Sequence, residues 1–266
     1  MPAPPLIKNF MAKVQPTKVT ELYKGKIKVA FYEKSHRYLI NETERPLSVT
    51  ACTGIIDKSR PLIYWATGLM EDYLKNIKPG MITLDDIDEA KKQHTIRKEA
   101  AATSGSKVHE WAEQYIMHKL KRIKELPEMP TEEPVRLGVM AFLKWVDEYK
   151  IKFLDTELLV YSKKHKYVGL MDCKFTMGGS EKHKIVHAGD FKTSKAVYNE
   201  MRYQVSAYQE ADVEESGEVY GSKWILRFDK LTGEFEAHEY GDHEKDFKVF
   251  LACLAIKTRE KELSKY

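Results

Sequence analysis

The hydrophobic pattern of this chain changes near Lys150, and that switch restricts the folds open to it. Before it the signals are mostly helical. After it, 153–162, 167–175 and 184–193 read as strands, rich in β-branched and aromatic residues between turn signals. Met177-Gly178-Gly179-Ser180 is a turn signal, so the last two strands should pair as an antiparallel hairpin. A helix over 198–213 follows, then strands 218–228 and 234–240 around a turn at 229–233, then a terminal helix over 242–263. Three strands, a helix, two strands and a helix imply an α/β fold built on one sheet.

The first half reads as a β-hairpin (27–32 and 36–40, turn 33–35) followed by helices. Ser48 can cap a short helix through Ile56, and Pro61 opens a second over 62–77 that Pro79-Gly80 ends. Thr83 with Asp86 resembles a capping box for a charged helix to about Ala102. Ser104-Gly105-Ser106 is expected to break it, with a further helix over 107–124. Pro127, Pro130 and Pro134 mark a loop before a helix ending near Lys150. Gly/Ser linkers are scarce, so the expectation is a loose tail (1–20) and one domain, 21–266. Within it, a mostly helical part (21–150) packs on a sheet core with a C-terminal helix (151–266).

Composition removes several classes. With 266 residues, 42% hydrophobic and 44 basic against 40 acidic residues, the chain is neither disordered nor a polycation. Cys52, Cys173 and Cys253 stand apart, so no disulfide framework is readable and a reducing compartment is expected. No run approaches the roughly 20 apolar residues that cross a bilayer, so no membrane partner is expected. The N-terminus has the layout of neither a secretory nor an Arg-rich organelle signal. No GxxxxGK[ST] loop is present, so no ATP use is expected.

The most informative segment is Val186-His187-Ala188-Gly189-Asp190-Phe191-Lys192-Thr193. Strand alternation puts Asp190 and Lys192 on one face. The partner strand contains Asp172, and the spacing allows a hairpin to return the two carboxylates close together. Juxtaposed carboxylates imply a metal or a shared proton, and oxygen ligands suit Mg²⁺ or Mn²⁺. The competing reading is a solvated Asp-x-Lys surface pair.

These motifs resemble the PD-(D/E)XK nuclease superfamily, in particular its RecB-type branch, with phage exonucleases and the mitochondrial genome-maintenance exonuclease. The similarity lies in Gly169-Leu170-Met171-Asp172, Asp190-Phe191-Lys192, Gln204-Val205-Ser206-Ala207-Tyr208 and Gly105-Ser106-Lys107-Val108-His109. The early Leu47-Ser48-Val49-Thr50 and Leu62-Ile63-Tyr64-Trp65 resemble the N-terminal pattern of the phage members, and the likeness spans about residues 30 to 240.

The resemblance implies a restriction-endonuclease-like mixed sheet flanked by helices. It also implies a Mg²⁺- or Mn²⁺-dependent deoxyribonuclease, an exonuclease acting from DNA ends. Asp172, Asp190, His109 and the backbone carbonyl of Phe191 would hold metal, with Glu157 as a further ligand or a plain strand residue. Lys192 would orient the attacking water; Gln204 and Tyr208 would line the site against nucleic acid. Lys195 and Arg202 would hold phosphates or be ordinary surface charges. Glu113 lies one turn from His109. The cysteines lack the layout of an iron–sulfur cluster. His94, His165, His183 and His187 are read as surface residues, and Tyr64, Trp65, Tyr73 and Trp111 as core.

Two alternatives stay open: a structure-specific endonuclease or RNA-directed nuclease, and a non-catalytic nucleic-acid-binding module of the same fold. The expected setting is the cytoplasm of a bacterial or phage-infected cell, with the mitochondrial matrix as the alternative. DNA repair or recombination, with a recombination or replication partner protein, belongs to that setting. Oligomeric state is not readable. Between Tyr161 and Glu200 there are eight lysines against four acids, a local basic surface around an acidic centre.

Overall fold

The computed structural model describes residues 15–77, 80–178, 185–229 and 232–264, with backbone alone for 99–106. The chain begins in a three-stranded antiparallel sheet of β1 (Lys18–Leu22), β2 (Ile27–Tyr32) and β3 (Arg37–Ile40). The expected hairpin is there, but β1 adds a strand where the sequence suggests only tail. The first 14 residues of that tail lie outside the described residues. Alternation explains the little sheet: Ile27, Val29 and Phe31 turn one way onto Leu159, Tyr161 and Val168.

Then come β4 (Leu47–Ser48), α1 (Val49–Thr53), α2 (Ser59–Lys75), α3 (Leu84–Lys119) and α4 (Glu133–Glu148). Ser48 caps α1 by accepting from the Ala51 N–H at 3.1 Å. Thr83 and Asp86 form the expected capping box. Beyond that box the sequence expectation needs correction. No break occurs at Ser104-Gly105-Ser106, and two expected helices are one of 36 residues ending at Lys119. One glycine costs a helix about 1 kcal/mol relative to alanine, a penalty rather than a stop.

The second half contains β5 (Lys152–Ser162), β6 (Tyr167–Thr176), β7 (Val186–Lys192), α5 (Asn199–Ser216), β8 (Tyr220–Phe228), β9 (Phe235–Tyr240) and α6 (His243–Leu263). These match the expected elements closely, although Gly179, Ser180 and Lys184 fall outside the described residues. The strands form a mixed sheet in the order β4-β6-β7-β8-β9, with β5 on the other edge of β6. β6 pairs antiparallel with β5 and β7, and β7 runs parallel to β8. One apolar cluster joins α1, α5 and α6 to the sheet through Val160, Val205, Ile225 and Phe250. The other joins α3 and α4 through Ile116, Phe142, Phe175 and Leu226. The result is a mixed α/β sheet with helices on both faces.

Candidate metal centre

One edge of β6 serves two partners in turn. β4 pairs with Tyr167 and Val168 at its start, and β7 pairs with Cys173, Lys174 and Phe175 nearer its end. Among the described residues, the stretch between them has no strand partner on that edge. Extending the Cys173–Gly189 register by one step sets Asp172 opposite Asp190, where β6 and β7 part. There the Asp172 carboxylate takes the place of a ladder bond: its Oδ2 accepts the Phe191 N–H at 2.6 Å. Gly189 keeps the last rung close, because a Cβ on it would lie 2.5 Å from Cys173 Sγ.

Asp190 is 1% exposed and forms an ion pair with Lys192, two residues on along the same strand. Its Oδ1 lies 3.5 Å from Gln204 Nε2, which donates to the Tyr208 hydroxyl at 2.7 Å. Gln204 and Tyr208 share one face of α5, as their spacing predicts. Tyr208 is buried directly over Gly169, where a Cβ would come within 2.3 Å of its ring.

From the other side, α3 brings His109. Its Nε2 lies 3.7 Å from Glu157 Oε1 and 3.8 Å from Asp172 Oδ2, and its ring meets Phe191 edge-on. His109, Glu157 and Asp172 each offer one ligand atom within 4.8 Å of the others. Glu157 reaches this place through an irregular backbone. It has φ +48°, left-handed for a non-glycine residue in mid-strand, and its carbonyl accepts from Lys18 Nζ on β1. Its neighbour Thr156 donates to the Asp172 carbonyl at 2.9 Å.

The electrostatics follow from burial. Burial pushes the Asp190 carboxyl up to about 7 despite Lys192, and the charge of Asp172 adds to the rise. Burial also raises Asp172, against the pull of His109 and Lys192. Burial lowers His109, but Asp172 and Glu157 more than reverse this and bring it to about 9. Glu113, one turn along α3, is raised by burial and by Glu157.

Glu113, Glu157, Asp172 and Asp190 thus meet with two cationic side chains, His109 and Lys192. Buried and half-buried oxygen donors with surplus negative charge fit a hard divalent cation. His109, Glu157 and Asp172 are the side chains whose ligand atoms lie close enough together to hold it, while Asp190 stands beside them paired with Lys192. The Phe191 carbonyl lies on the same side of its strand as the N–H that meets Asp172, so it too faces this gap.

Other expected positions lie elsewhere. Arg202 pairs with Asp246 at 3.1 Å and its guanidinium lies over the Tyr240 ring. Lys195 is exposed in the loop after β7, whose Ser194 and Lys195 carbonyls accept from buried Arg227. Arg227 also grips Glu236 with two hydrogen bonds, at 3.0 and 2.7 Å. Sequence reasoning misses this residue, although the hairpin turn at 229–233 sets Arg227 opposite Glu236. Lys18 offers no such signal, being far from Glu157 in sequence.

Two groups of residues are corrected. His187 is buried rather than on the surface, with Nδ1 2.9 Å from Ser222 Oγ. His165 is half-buried, His94 is exposed, and His183 lies outside the described residues. Trp111 is core, as expected, and Tyr73 half-buried, but Tyr64 is 67% and Trp65 39% exposed. Among the described residues, the first turns of α2 are left exposed from Ser59 to Trp65.

No family model matches the chain, and no curated protein matches it. Solved structures give distant overlaps. SSO0001 is similar at 10% identity over 76% of this chain and 87% of that one, TM-score 0.29. An alkaline exonuclease from Laribacter hongkongensis overlaps at 13% identity over 59% of this chain and 92% of that one, TM-score 0.27. The same exonuclease in complex with dAMP gives 12% identity over 76% and 97%, TM-score 0.27. These superpositions are loose, and the functional reading rests on the geometry of the site itself.

Proposed function

We propose that this chain is a metal-dependent nuclease of the PD-(D/E)XK type that hydrolyses DNA phosphodiester bonds, acting as an exonuclease from DNA ends. The observation that carries this reading is the meeting of Asp172 and Asp190 where β6 and β7 part, with Lys192 and His109 against them. A bound Mg²⁺ or Mn²⁺ supplies an activated water and offsets charge growing on the phosphate.

The chain's own groups do the rest. Asp172, held by the Phe191 N–H, and Asp190, held by Lys192, are fixed before any cation arrives. Lys192 Nζ, beside Asp190, can hold the attacking water or donate to a phosphate oxygen. Gln204, braced by Tyr208, keeps an amide donor directed at Asp190.

End-directed action is supported by the helical arm of α2 and α3. Lys58, at the start of α2, pairs with Glu200 at the start of α5, while α3 carries His109. Both feet of the arm therefore stand near the acidic cluster, where the arm would narrow the approach to it. Exposed Tyr64 and Trp65 offer rings on which unpaired bases can stack.

The test is digestion of end-labelled linear single strands, linear duplexes and circular single strands with Mg²⁺. Wild type should degrade linear substrates and spare circles, while Asp190→Ala and Lys192→Ala lose cleavage with the fold intact. Cleavage of circles would replace the exonuclease by an endonuclease. Wild-type-like digestion by either variant would defeat the assignment of the site.

A further inference from the structure

Two turns far apart in sequence meet at one corner of the molecule, and both carry lysines. The β1–β2 turn supplies Lys24 and Lys26; the β5–β6 turn supplies Lys163, Lys164 and Lys166. Tyr23 docks them together. Its hydroxyl donates to the Tyr161 carbonyl at 2.8 Å, and Lys163 Nζ lies 4.8 Å over its ring.

The carboxylates at this corner are used on the backbone. Glu215 accepts from the Tyr23 N–H at 2.7 Å, and Glu214 accepts from the Lys164 N–H at 3.0 Å and from the Ser162 hydroxyl at 2.6 Å. Asp212 is already paired with buried Lys174. All five lysines are exposed, and among the described residues none of them pairs with a carboxylate. Two acids thus hold the turns in place and leave five ammonium groups facing water.

A cleft of about 460 Å³ opens here, lined by Lys24, Lys26 and Lys163 with Tyr23 and Leu158, and also by Asp212 and Glu215, whose carboxylates are taken up by Lys174 and by the Tyr23 N–H. Leu158 is the residue next to Glu157 of the acidic cluster. From Glu157 to Ser162 is five residues of β5, about 17 Å at a strand's rise of ~3.3 Å per residue. That equals about five phosphate steps along one strand of a duplex.

We propose that the two lysine turns form a secondary binding surface for the phosphodiester backbone of the nucleic acid, several nucleotides from the reacting bond. The proposal deepens the nuclease reading and rests on it for the substrate. Five exposed lysines without a carboxylate partner among the described residues, against acids already engaged by Lys174 and backbone N–H groups, select a polyphosphate chain as occupant. The lysines meet phosphates, so they add affinity without sequence preference.

The experiment is a salt titration of DNA binding by the full chain in EDTA, followed by fluorescence anisotropy on a labelled 30-nucleotide strand and duplex. It compares wild type with Lys24→Gln/Lys26→Gln, with Lys163→Gln/Lys164→Gln/Lys166→Gln, and with the same positions changed to Arg. Lys245→Gln/Lys257→Gln on α6 is the control. Each Gln variant should weaken binding about tenfold and lower the slope of log K against log salt by ~0.7–0.9 for every phosphate it no longer neutralises. The Arg variants and the control should keep the wild-type slope. With Mg²⁺, cleavage of a trinucleotide, too short to reach the corner, should be unchanged while KM on the long strand rises. Gln variants that bind like the control would overturn the proposal. A reduced slope in those variants, in a protein that cleaves nothing, would leave the surface standing and sink the nuclease reading instead.

Discussion

Asp190 and His109 hold protons near neutrality for opposite reasons. Asp190 stands near 7 because its charged form is buried beside Asp172; His109 stands near 9 because two carboxylates outweigh its burial. A metal needs the carboxylate and the free imidazole, so binding must expel protons. Apparent Mn²⁺ affinity should therefore rise with pH from 6 toward 9. Calorimetry in buffers of different ionisation heat should detect the released protons, and a heat independent of buffer would refute this.

Metal-free stability has a matching sign. Asp190's folded value lies above its unfolded one of about 4, so its contribution declines as pH rises from there to 7. His109's contribution is present below about 6.5 and is lost as pH rises through about 9. The metal-free melting temperature should fall across neutral pH, and Mn²⁺ should flatten the fall. Glu157 carries a different cost. At φ +48°, Glu157→Gly should stabilise the metal-free protein by about 1 kcal/mol in urea unfolding while weakening metal binding. Glu157→Gln keeps the backbone cost and separates strain from charge.

Among the elements, β6 and α5 fix the geometry by close approach at Gly169. The motif containing Gly169 was legible in the sequence as Gly-x-x-Asp, but the reason for its glycine was not. The ring of Tyr208 occupies the space where a side chain would lie. Gly169→Ala should cost about 1–3 kcal/mol through overpacking. It should also displace Tyr208 and with it Gln204, lowering Mg²⁺-dependent cleavage. A Gly169→Ala protein with wild-type stability and cleavage would refute this account.

The strand pair itself was readable because period-2 segments flank a glycine turn. The single helix α3 was not. Local breaker signals at Ser104-Gly105-Ser106 suggested an end, yet the helical ladder continues to Lys119, and the packing of Val108, Ala112 and Ile116 stabilises its far side.

At the scale of the molecule, stability is uneven. α5 and α6 are anchored in the sheet's core, whereas α2 buries no residue and packs chiefly on α3. Hydrogen exchange should show protection in 59–75 about a hundredfold or more below that in α5 and α6, with restoration when a single strand binds. Equal protection in the free protein would remove the arm as a movable element. Charge is uneven too. The described lysines between Tyr161 and Glu200 do not share one continuous surface. Lys174 is buried in an ion pair and Lys192 serves the acidic cluster, while Lys163, Lys164 and Lys166 join lysines from the β1–β2 turn.

The sequence by itself determined the order and kind of most elements, because period and turn chemistry are local. It also determined that Asp172, Asp190 and Lys192 would come together, because one hairpin suffices to join them. Only the tertiary structure decided that β6 and β7 part at those two carboxylates, and that Glu157 bends out of its strand with Lys18 on its carbonyl. It also decided that Tyr64 and Trp65 stand exposed on α2. Those outcomes depend on which distant segments pack against a residue, and no window of sequence contains that information.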